Sequence, residues 1–443
     1  MNTPICDFLA EYANAYTLRL HMPGHKGKGN LHNAEDITEI SGADSLYEAS
    51  GIIRESEKNA SALFGAYSYY STEGSSLAIR AMMYLVSIYA KDNGKPPLIA
   101  AGRNAHKTLI SALALLGLDV DWLTTCGNSY LSCVLNATDV ENYLNNANTL
   151  PAAIYLTSPD YLGNISDIRG IAKVCRENGV LLIVDNAHGA YLNFLPESLH
   201  PIALGADMCC DSAHKTLPVL TGGAYLHIAK QHESFSNLAK DAMSLFGSTS
   251  PSYLILSSLD EANKYMSEGY KEKLADFIPK LMTIKKRLLS CGYDVLNGEP
   301  MKITLATKSY GYLGTEVAEH LTSLSVVPEF ADKDYIVLMP TPEILDDELE
   351  RLYNALESLE KKLGITDSAP TPEIGERAMS IREAVMSPSE LLPVDKCLNR
   401  ILATTSVGCP PAVPIVVSGE VITQNSIECF KYYGIEKCRV VKG

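Results

Sequence analysis

The sequence predicts an α/β protein built on a mostly parallel sheet, and three observations carry that reading. Short apolar runs recur through the middle of the chain: PLIAA (97–101), DVDWLT (119–124), AAIYLTS (152–158), GVLLIVD (179–185), DMCCD (207–211) and GGAYLHIA (222–229). Segments with helical spacing lie among them, SSLAIRAMMYLVSIYA (75–90), HKTLISALALLGL (106–118) and DIRGIAKVCRENG (167–179). Several of the runs end on polar or ionisable residues. Strands separated by helices give βαβ units, hence a largely parallel sheet covered on both faces. In such sheets ligands bind beyond the carboxyl ends of the strands, so those polar ends are where chemistry is expected.

The rest of the chain changes texture. After residue 230 it turns helical, through DEANKYMSEGYKEKLADFIPKLMTIKKRLLSCG (260–292). MKITLAT (301–307) and DYIVLMP (334–340) read as strands of a smaller α+β region, and EILDDELERLYNALESLEKKLG (343–364) as an amphipathic helix. TDSAPTPEIG (366–375), with two prolines, reads as a linker. The division expected is an N-terminal arm (1–45), a large domain (46–270), a small α+β domain (271–365) and a C-terminal domain (366–443).

Composition excludes several classes. A net charge of −15 argues against nucleic acid as a partner, because a duplex binder needs a basic face to displace counterions. The same charge suits a small cationic substrate. The 11 cysteines form no CxxC pair and no Cys/His zinc spacing, so no metal is expected and a reducing compartment is. The N-terminus lacks the basic start and apolar core of a signal peptide, and no apolar run is long enough for a membrane span. A cytoplasmic protein with no membrane partner is the expectation.

Four stretches carry chemistry, and each has a plainer alternative. GVLLIVD delivers Asp185 to the end of a buried strand, where a carboxylate is costly without a positive partner. A protonated pyridine nitrogen is such a partner; a helix cap is the alternative. DSAHKTLPVLTGG (211–223) sets Lys215 directly after a strand, beside hydroxyls and His214, as a Schiff-base lysine requires. A surface turn is the alternative, and Asp185 one βα unit upstream tips the balance. Ser71-Thr72-Glu73-Gly74-Ser75-Ser76 opens a helix with glycine and hydroxyls that suit a phosphate, or that simply cap the helix. Arg103-Asn104-Ala105-His106-Lys107 follows a strand, so His106 either stacks on a ring or starts a helix. Together, in this order along one sheet, they point to pyridoxal 5'-phosphate.

At this point the sequence resembles the bacterial ornithine/lysine/arginine decarboxylases nearly end to end. The resemblance runs through HMPGHKGKG (21–29), ISGADSLYEASGIIRESEKNASALFGA (40–66), STEGSSLAI, RNAHK, SPDYLGNISDI (158–168), VDNAHGA, DSAHKTL and STSPSYLILSSLD (248–260). It ends in MSIREAVMSPSE and GCPPAVPIVVSGEVI. It implies pyridoxal-phosphate fold type I, with a seven-stranded sheet, a smaller α+β domain and a C-terminal domain. It further implies decarboxylation of arginine, lysine or ornithine, in that order of preference, as a step of polyamine metabolism. By the same resemblance Lys215 holds the cofactor, Asp185 pairs with the pyridine nitrogen, and His106 stacks on the ring. Ser75, Ser76, Ser212 and His214 bind phosphate, Ala187 packs under the ring, and His188 lies beside the lysine. Thr249 reaches the phosphate of a neighbouring subunit, which implies a homodimer or larger assembly sharing its active sites. His214 or Lys215 returns a proton to the substrate, and Glu420 is the candidate partner for its distal cation. The family's large receiver-like N-terminal domain is not part of this sequence, so a short form is expected.

The sequence departs from the family pattern at Asp160, Asn186, Asp211, Ala213, Ala412 and Ser418, which leaves the substrate open. HMPGHKGKG lacks P-loop spacing and reads as an arm closing over the active site, or as a basic tail segment. Two other functions compete: transamination or β-elimination on the same fold, and a homologue that binds without catalysis.

Overall fold

The computed structural model describes residues 1–15, 17–28, 33–125, 129–404 and 411–443. Gly29 of the HMPGHKGKG stretch and residues 408–410 of GCPPAVPIVVSGEVI lie outside them. The predicted runs become a seven-stranded sheet: β1 (Tyr67–Ser71), β2 (Leu98–Gly102), β3 (Asp119–Leu123), β4 (Ala153–Thr157), β5 (Leu181–Asp185), β6 (Met208–Asp211) and β7 (Ala224–Ile228). Their order is β1-β7-β6-β5-β4-β2-β3. Pairs β2–β3 and β5–β6 are parallel, and β7 runs antiparallel to both β6 and β1. Every residue of β5, β6 and β7 is buried, which is why these strands read as continuous apolar runs rather than alternating ones.

The one strand that the apolar runs did not announce is β1. Its sequence is YSYYS, and it pairs only with β7 at the sheet edge. Tyrosine and serine satisfy an edge that needs polar groups on one side and bulk on the other, so no apolar run marks it.

Two compact units divide the chain. The first comprises residues 1–96, 137–156 and 167–272, the second residues 97–136, 157–166 and 273–443. In the first, helix Gly74–Asp92 packs on β1, β5, β6 and β7. Helix Tyr253–Ser267 of this unit and helix Tyr270–Cys291, which belongs to the second unit from Lys273 on, form the expected helical stretch, separated at Gly269, whose φ of +87° is open to glycine at no steric cost. The N-terminal helix Pro4–Asn14 is tied down by Asp260, which accepts the backbone N–H groups of Ile5 (2.9 Å) and Cys6 (3.1 Å).

In the second unit, β8 (Asp294–Val295), β9 (Ile303–Ala306), β10 (Phe330–Ala331) and β11 (Tyr335–Leu338) form an antiparallel sheet. The last sheet contains β12 (Ser389–Pro393), β13 (Leu402–Thr404) and β14 (Lys437–Val441), with β14 central. The helix expected over 343–364 is shorter, Asp346–Glu357. Its C-terminal continuation, SLEKKLG, has no apolar stripe: Leu363 is 94% exposed. There the carbonyls of Leu359 and Glu360 accept the hydroxyls of Tyr310 (3.0 Å) and Tyr312 (2.9 Å) instead of helical N–H groups. Residues 366–375 hold no regular structure, in keeping with a linker.

Candidate active site

The site is assembled where β5 and β6 end. Their parallel register sets Asp185 beside Cys210, so the turn after Asp185 and the segment after Asp211 leave the same edge of the sheet. Lys215 sits in a single helical turn, Ala213–Thr216, directly after β6. Its Nζ lies 3.0 Å from Nε2 of His188, the third residue after Asp185. Two groups that the sequence places 27 residues apart are thus in hydrogen-bond contact.

Asp185 is buried, at 2% exposure. Its Oδ1 accepts the N–H of Ala187 (3.2 Å) and the thiol of Cys210 (3.6 Å), and its Oδ2 accepts the phenol of Tyr155 (3.2 Å). Burial pushes the Asp185 carboxyl above its ordinary range, while the Lys215 charge and these donors pull against it. Burial, with Asp185 nearby, holds the Tyr155 phenol far above its ordinary range, so Tyr155 remains a donor. A buried carboxylate of this kind is stabilised by any cation brought to it.

The second half of the site is the N-terminus of helix Gly74–Asp92. Gly74 has φ +70°, its N–H donates to the Gly222 carbonyl (2.7 Å), and a Cβ there meets nothing within 4 Å. Gly222 is required for this approach, since its φ is +99° and a Cβ would lie 2.9 Å from the Thr72 carbonyl oxygen. Glu73, at the N-cap, makes no side-chain cap; its Oε1 accepts the N–H of Ser248 (2.6 Å) instead. The Ser212 hydroxyl donates to the Ser75 hydroxyl (2.9 Å), joining the β6 segment to this helix end. Ser76 follows in the same turn. Open space, first-turn N–H groups and paired hydroxyls make an anion cradle.

The donor set therefore fits pyridoxal phosphate: an amine, a buried carboxylate for a ring cation and a cradle for a phosphate, all in one unit. Ala187, 8% exposed, lies in the Asp185–Gly189 turn. His214 is turned toward the glycine loop, its Nδ1 2.9 Å from the Gly223 carbonyl.

The other predicted residues each have surroundings of their own. Thr249 is exposed on the segment before helix Tyr253–Ser267. His106 belongs to the second unit, where it caps helix Lys107–Leu116, its Nδ1 accepting the Thr108 N–H at 3.2 Å. Glu420, the candidate for a substrate cation, is engaged within the chain. It is 4% exposed, and its Oε2 accepts Arg103 (2.8 Å) and the Val417 N–H (2.8 Å). Arg103 itself lies over the Trp122 ring, 5.0 Å from its centroid. The carboxylate is already matched by a cation within the chain. Removing one partner of a buried pair costs about 3–5 kcal/mol, so Glu420→Gln is expected to lower the melting temperature clearly while leaving the Michaelis constant unchanged. A raised Michaelis constant at unchanged stability would return Glu420 to the substrate.

Of the departures from the family pattern, Asn186 and Asp211 prove to be partners, with Asn186 Nδ2 donating to Asp211 Oδ1 at 2.6 Å. Asp160 closes a turn of the second unit, accepting the N–H groups of Leu162 (3.0 Å) and Asn164 (2.9 Å) and the hydroxyl of Ser132 (2.6 Å). Sequence reasoning missed Tyr155 and Cys210. The signal for Tyr155 was a phenol inside the apolar run AAIYLTS, since a buried tyrosine hydroxyl needs a partner.

Comparison with known proteins agrees with this geometry. Residues 3–304 match the family model of the Orn/Lys/Arg decarboxylase major domain, and residues 365–437 that of the Orn/Lys/Arg decarboxylase C-terminal domain. The chain is 27% identical over 461 residues to an arginine decarboxylase of Halalkalibacterium halodurans, covering 96% of this chain and 92% of that one. It is equally 27% identical over 462 residues to the uncharacterized protein YaaO of Bacillus subtilis, covering 97% and 93%. Among solved structures, the lysine decarboxylase LdcF of Francisella novicida superposes with a TM-score of 0.82 at 17% identity, covering 99% of this chain and 81% of that one.

Proposed function

The chain belongs to the Orn/Lys/Arg decarboxylase family and is an amino-acid decarboxylase, and from that premise we propose that it acts on arginine, using pyridoxal phosphate held by Lys215. The observation that carries the cofactor assignment is the Lys215–His188–Asp185 cluster opposite the open helix end at Gly74. The relatives named arginine decarboxylase support arginine ahead of lysine and ornithine.

When bound, pyridoxal phosphate supplies an electron sink for the pair left on the substrate Cα as the carboxylate departs. The residues of this chain do the rest. Lys215 Nζ is the amine that holds the cofactor, and His188 Nε2, 3.0 Å away, takes the proton that Nζ must lose to act as a nucleophile. Asp185 holds a proton on the ring nitrogen by its charge, and Tyr155, Cys210 and the Ala187 N–H keep its carboxylate oriented. Ser75, Ser76 and Ser212 hold phosphate at the helix N-terminus. The Cα–carboxylate bond breaks, carbon dioxide leaves, and the lysine–histidine pair returns one proton to Cα to give the amine. Exclusion of water favours the loss, because the departing carboxylate gives up its hydration.

The same reading makes the enzyme cytoplasmic and at least dimeric, with Thr249 contributed across subunits. No helix among the described residues is long and apolar enough to cross a membrane.

The test is incubation of purified, cofactor-loaded protein with arginine, lysine and ornithine separately, with products identified by mass spectrometry. Agmatine from arginine is the expected result. Cadaverine or putrescine alone would move the substrate, and a keto acid would replace decarboxylation by transamination.

A further inference from the structure

A second buried carboxylate stands one residue beyond the site, and no step described above uses it. Asp211 closes β6 with its side chain fully buried. Its Oδ1 accepts Asn186 Nδ2 at 2.6 Å, while its Oδ2 faces His200 Nε2 at 3.0 Å and His227 Nε2 at 3.2 Å. The other ring nitrogen of His227 meets the Ser68 hydroxyl at 2.8 Å. One carboxylate therefore gathers the turn after β5, the segment before residue 201, β7 and, through His227, β1.

We propose that Asp211 is a positioning residue for the cofactor site: through Asn186 it fixes the Asp185–Gly189 turn, and with it both Asp185 and His188. The inference rests on the pyridoxal-phosphate reading above. Asn186 lies between Asp185 and Ala187, with its N–H on the Cys210 carbonyl (3.0 Å) and its carbonyl accepting the Gly189 N–H (2.8 Å). Its side chain is confined on the far side too, since a Cβ on Gly189 would lie 2.0 Å from Asn186 Oδ1. On the other side of Asp211 comes Ser212, whose hydroxyl meets Ser75 in the cradle. A shift of Asp211 is thus passed to the ring carboxylate, to the histidine beside Lys215 and to the phosphate end together.

The choice of aspartate over asparagine follows from donor and acceptor bookkeeping. An ionised carboxylate only accepts. Asn186 must then present its Nδ2, and both imidazoles must present N–H at Nε2, so one arrangement satisfies the cluster. Burial opposes the charge, but His200 and His227 outweigh it and hold the Asp211 carboxyl well below its ordinary range. His200, Cys209 and Asp211 have ligand atoms close enough for a metal ion, yet Asp211 Oδ2 already faces both imidazoles. The hydrogen-bond cluster is the reading the contacts support.

Two variants test this. Asp211→Asn keeps the shape but can both donate and accept, so either amide orientation can be matched by switching the histidine tautomers, and the turn loses its single arrangement. Asn186→Asp combined with Asp211→Asn restores one arrangement: the new carboxylate accepts from the asparagine amide, whose oxygen accepts from both histidines. With cofactor stripped from the full chain and added back, D211N is expected to bind pyridoxal phosphate on the order of tenfold more weakly, the cost of roughly one misplaced contact. Its kcat should fall and its Michaelis constant stay, and the cofactor-free melting temperature should fall alike in D211N and N186D/D211N, since both lack the charge matched to His200 and His227. N186D/D211N is expected to recover the affinity to within about threefold. Wild-type affinity in D211N would overturn the proposal. So would a loss of affinity that tracks cofactor-free stability and is not recovered in the double variant. Wild-type protein that takes up no pyridoxal phosphate would instead sink the parent reading, so the two failures are distinguishable.

Discussion

Replacing Asp185 by asparagine is expected to lower turnover by roughly 10³-fold while leaving the cofactor-free protein as stable as before, or more so. The two effects separate because Asp185 is costly to the fold and useful to the site. Its carboxyl is buried and pushed up by that burial, with Lys215 the largest influence against it. Asparagine is isosteric and sheds the cost of burying a charge. Its single oxygen can accept the Ala187 N–H in the place of Oδ1, and its Nδ2, in the place of Oδ2, can donate to the Tyr155 hydroxyl. It cannot hold a proton on a pyridine nitrogen by charge. An ion pair at about 4 Å and an effective dielectric of about 20 is worth about 4 kcal/mol, which converts to roughly a thousandfold in rate. Thermal unfolding of the cofactor-free protein and kcat with saturating pyridoxal phosphate are the two measurements. A stability loss in D185N that accounts for the lost activity would make Asp185 a structural residue.

Lys215→Ala should have an effect at least as large and of a different kind. The amine is the covalent anchor, so pyridoxal phosphate should be lost on gel filtration, although Asp185 and the Gly74–Ser76 helix end still bind it weakly when it is supplied in excess. Turnover should fall by about 10³-fold or more even at saturating cofactor, since a positioned proton-transfer group alone contributes about 10²–10⁴-fold. His188 remains but has lost the amine it faces at 3.0 Å. Cofactor that co-purifies with K215A in stoichiometric amount, or turnover within tenfold of wild type, would dismiss Lys215 as the anchor.

Three His-Lys pairs stand in the sequence, at 25–26, 106–107 and 214–215, and spacing alone does not rank them. Position relative to the sheet does. Lys107 is exposed at the start of a helix, and Lys26 turns back onto the carbonyl of His21. Lys215 alone of the three follows a strand neighbouring the one that ends in Asp185. That much was readable, because buried parallel strands advertise themselves as apolar runs and the polar residue ending each run marks the working edge. Cys210 and the His200–His227–Asp211 cluster were not readable, and for Tyr155 the sequence showed the need for a partner without naming it. Their meaning comes from neighbours 11 to 30 residues away, 30 for Tyr155 and Asp185, and no periodicity encodes a hydrogen bond between strands. Glu420 shows the same limit in reverse: as a lone carboxylate in a promising motif it invited a cation, and only the fold supplied Arg103.

What the sequence by itself determined was six of the seven strands of the main sheet, the helices lying among them and the residue types at the strand ends, because burial on both faces and helix periodicity are local consequences of composition. What only the tertiary structure decided was pairing: which histidine faces Lys215, which groups orient Asp185, which carboxylates are already matched. Pairing depends on side chains from distant segments meeting in a medium where an unpaired charge or donor is costly, and that cost is fixed by the packed fold rather than by any stretch of sequence.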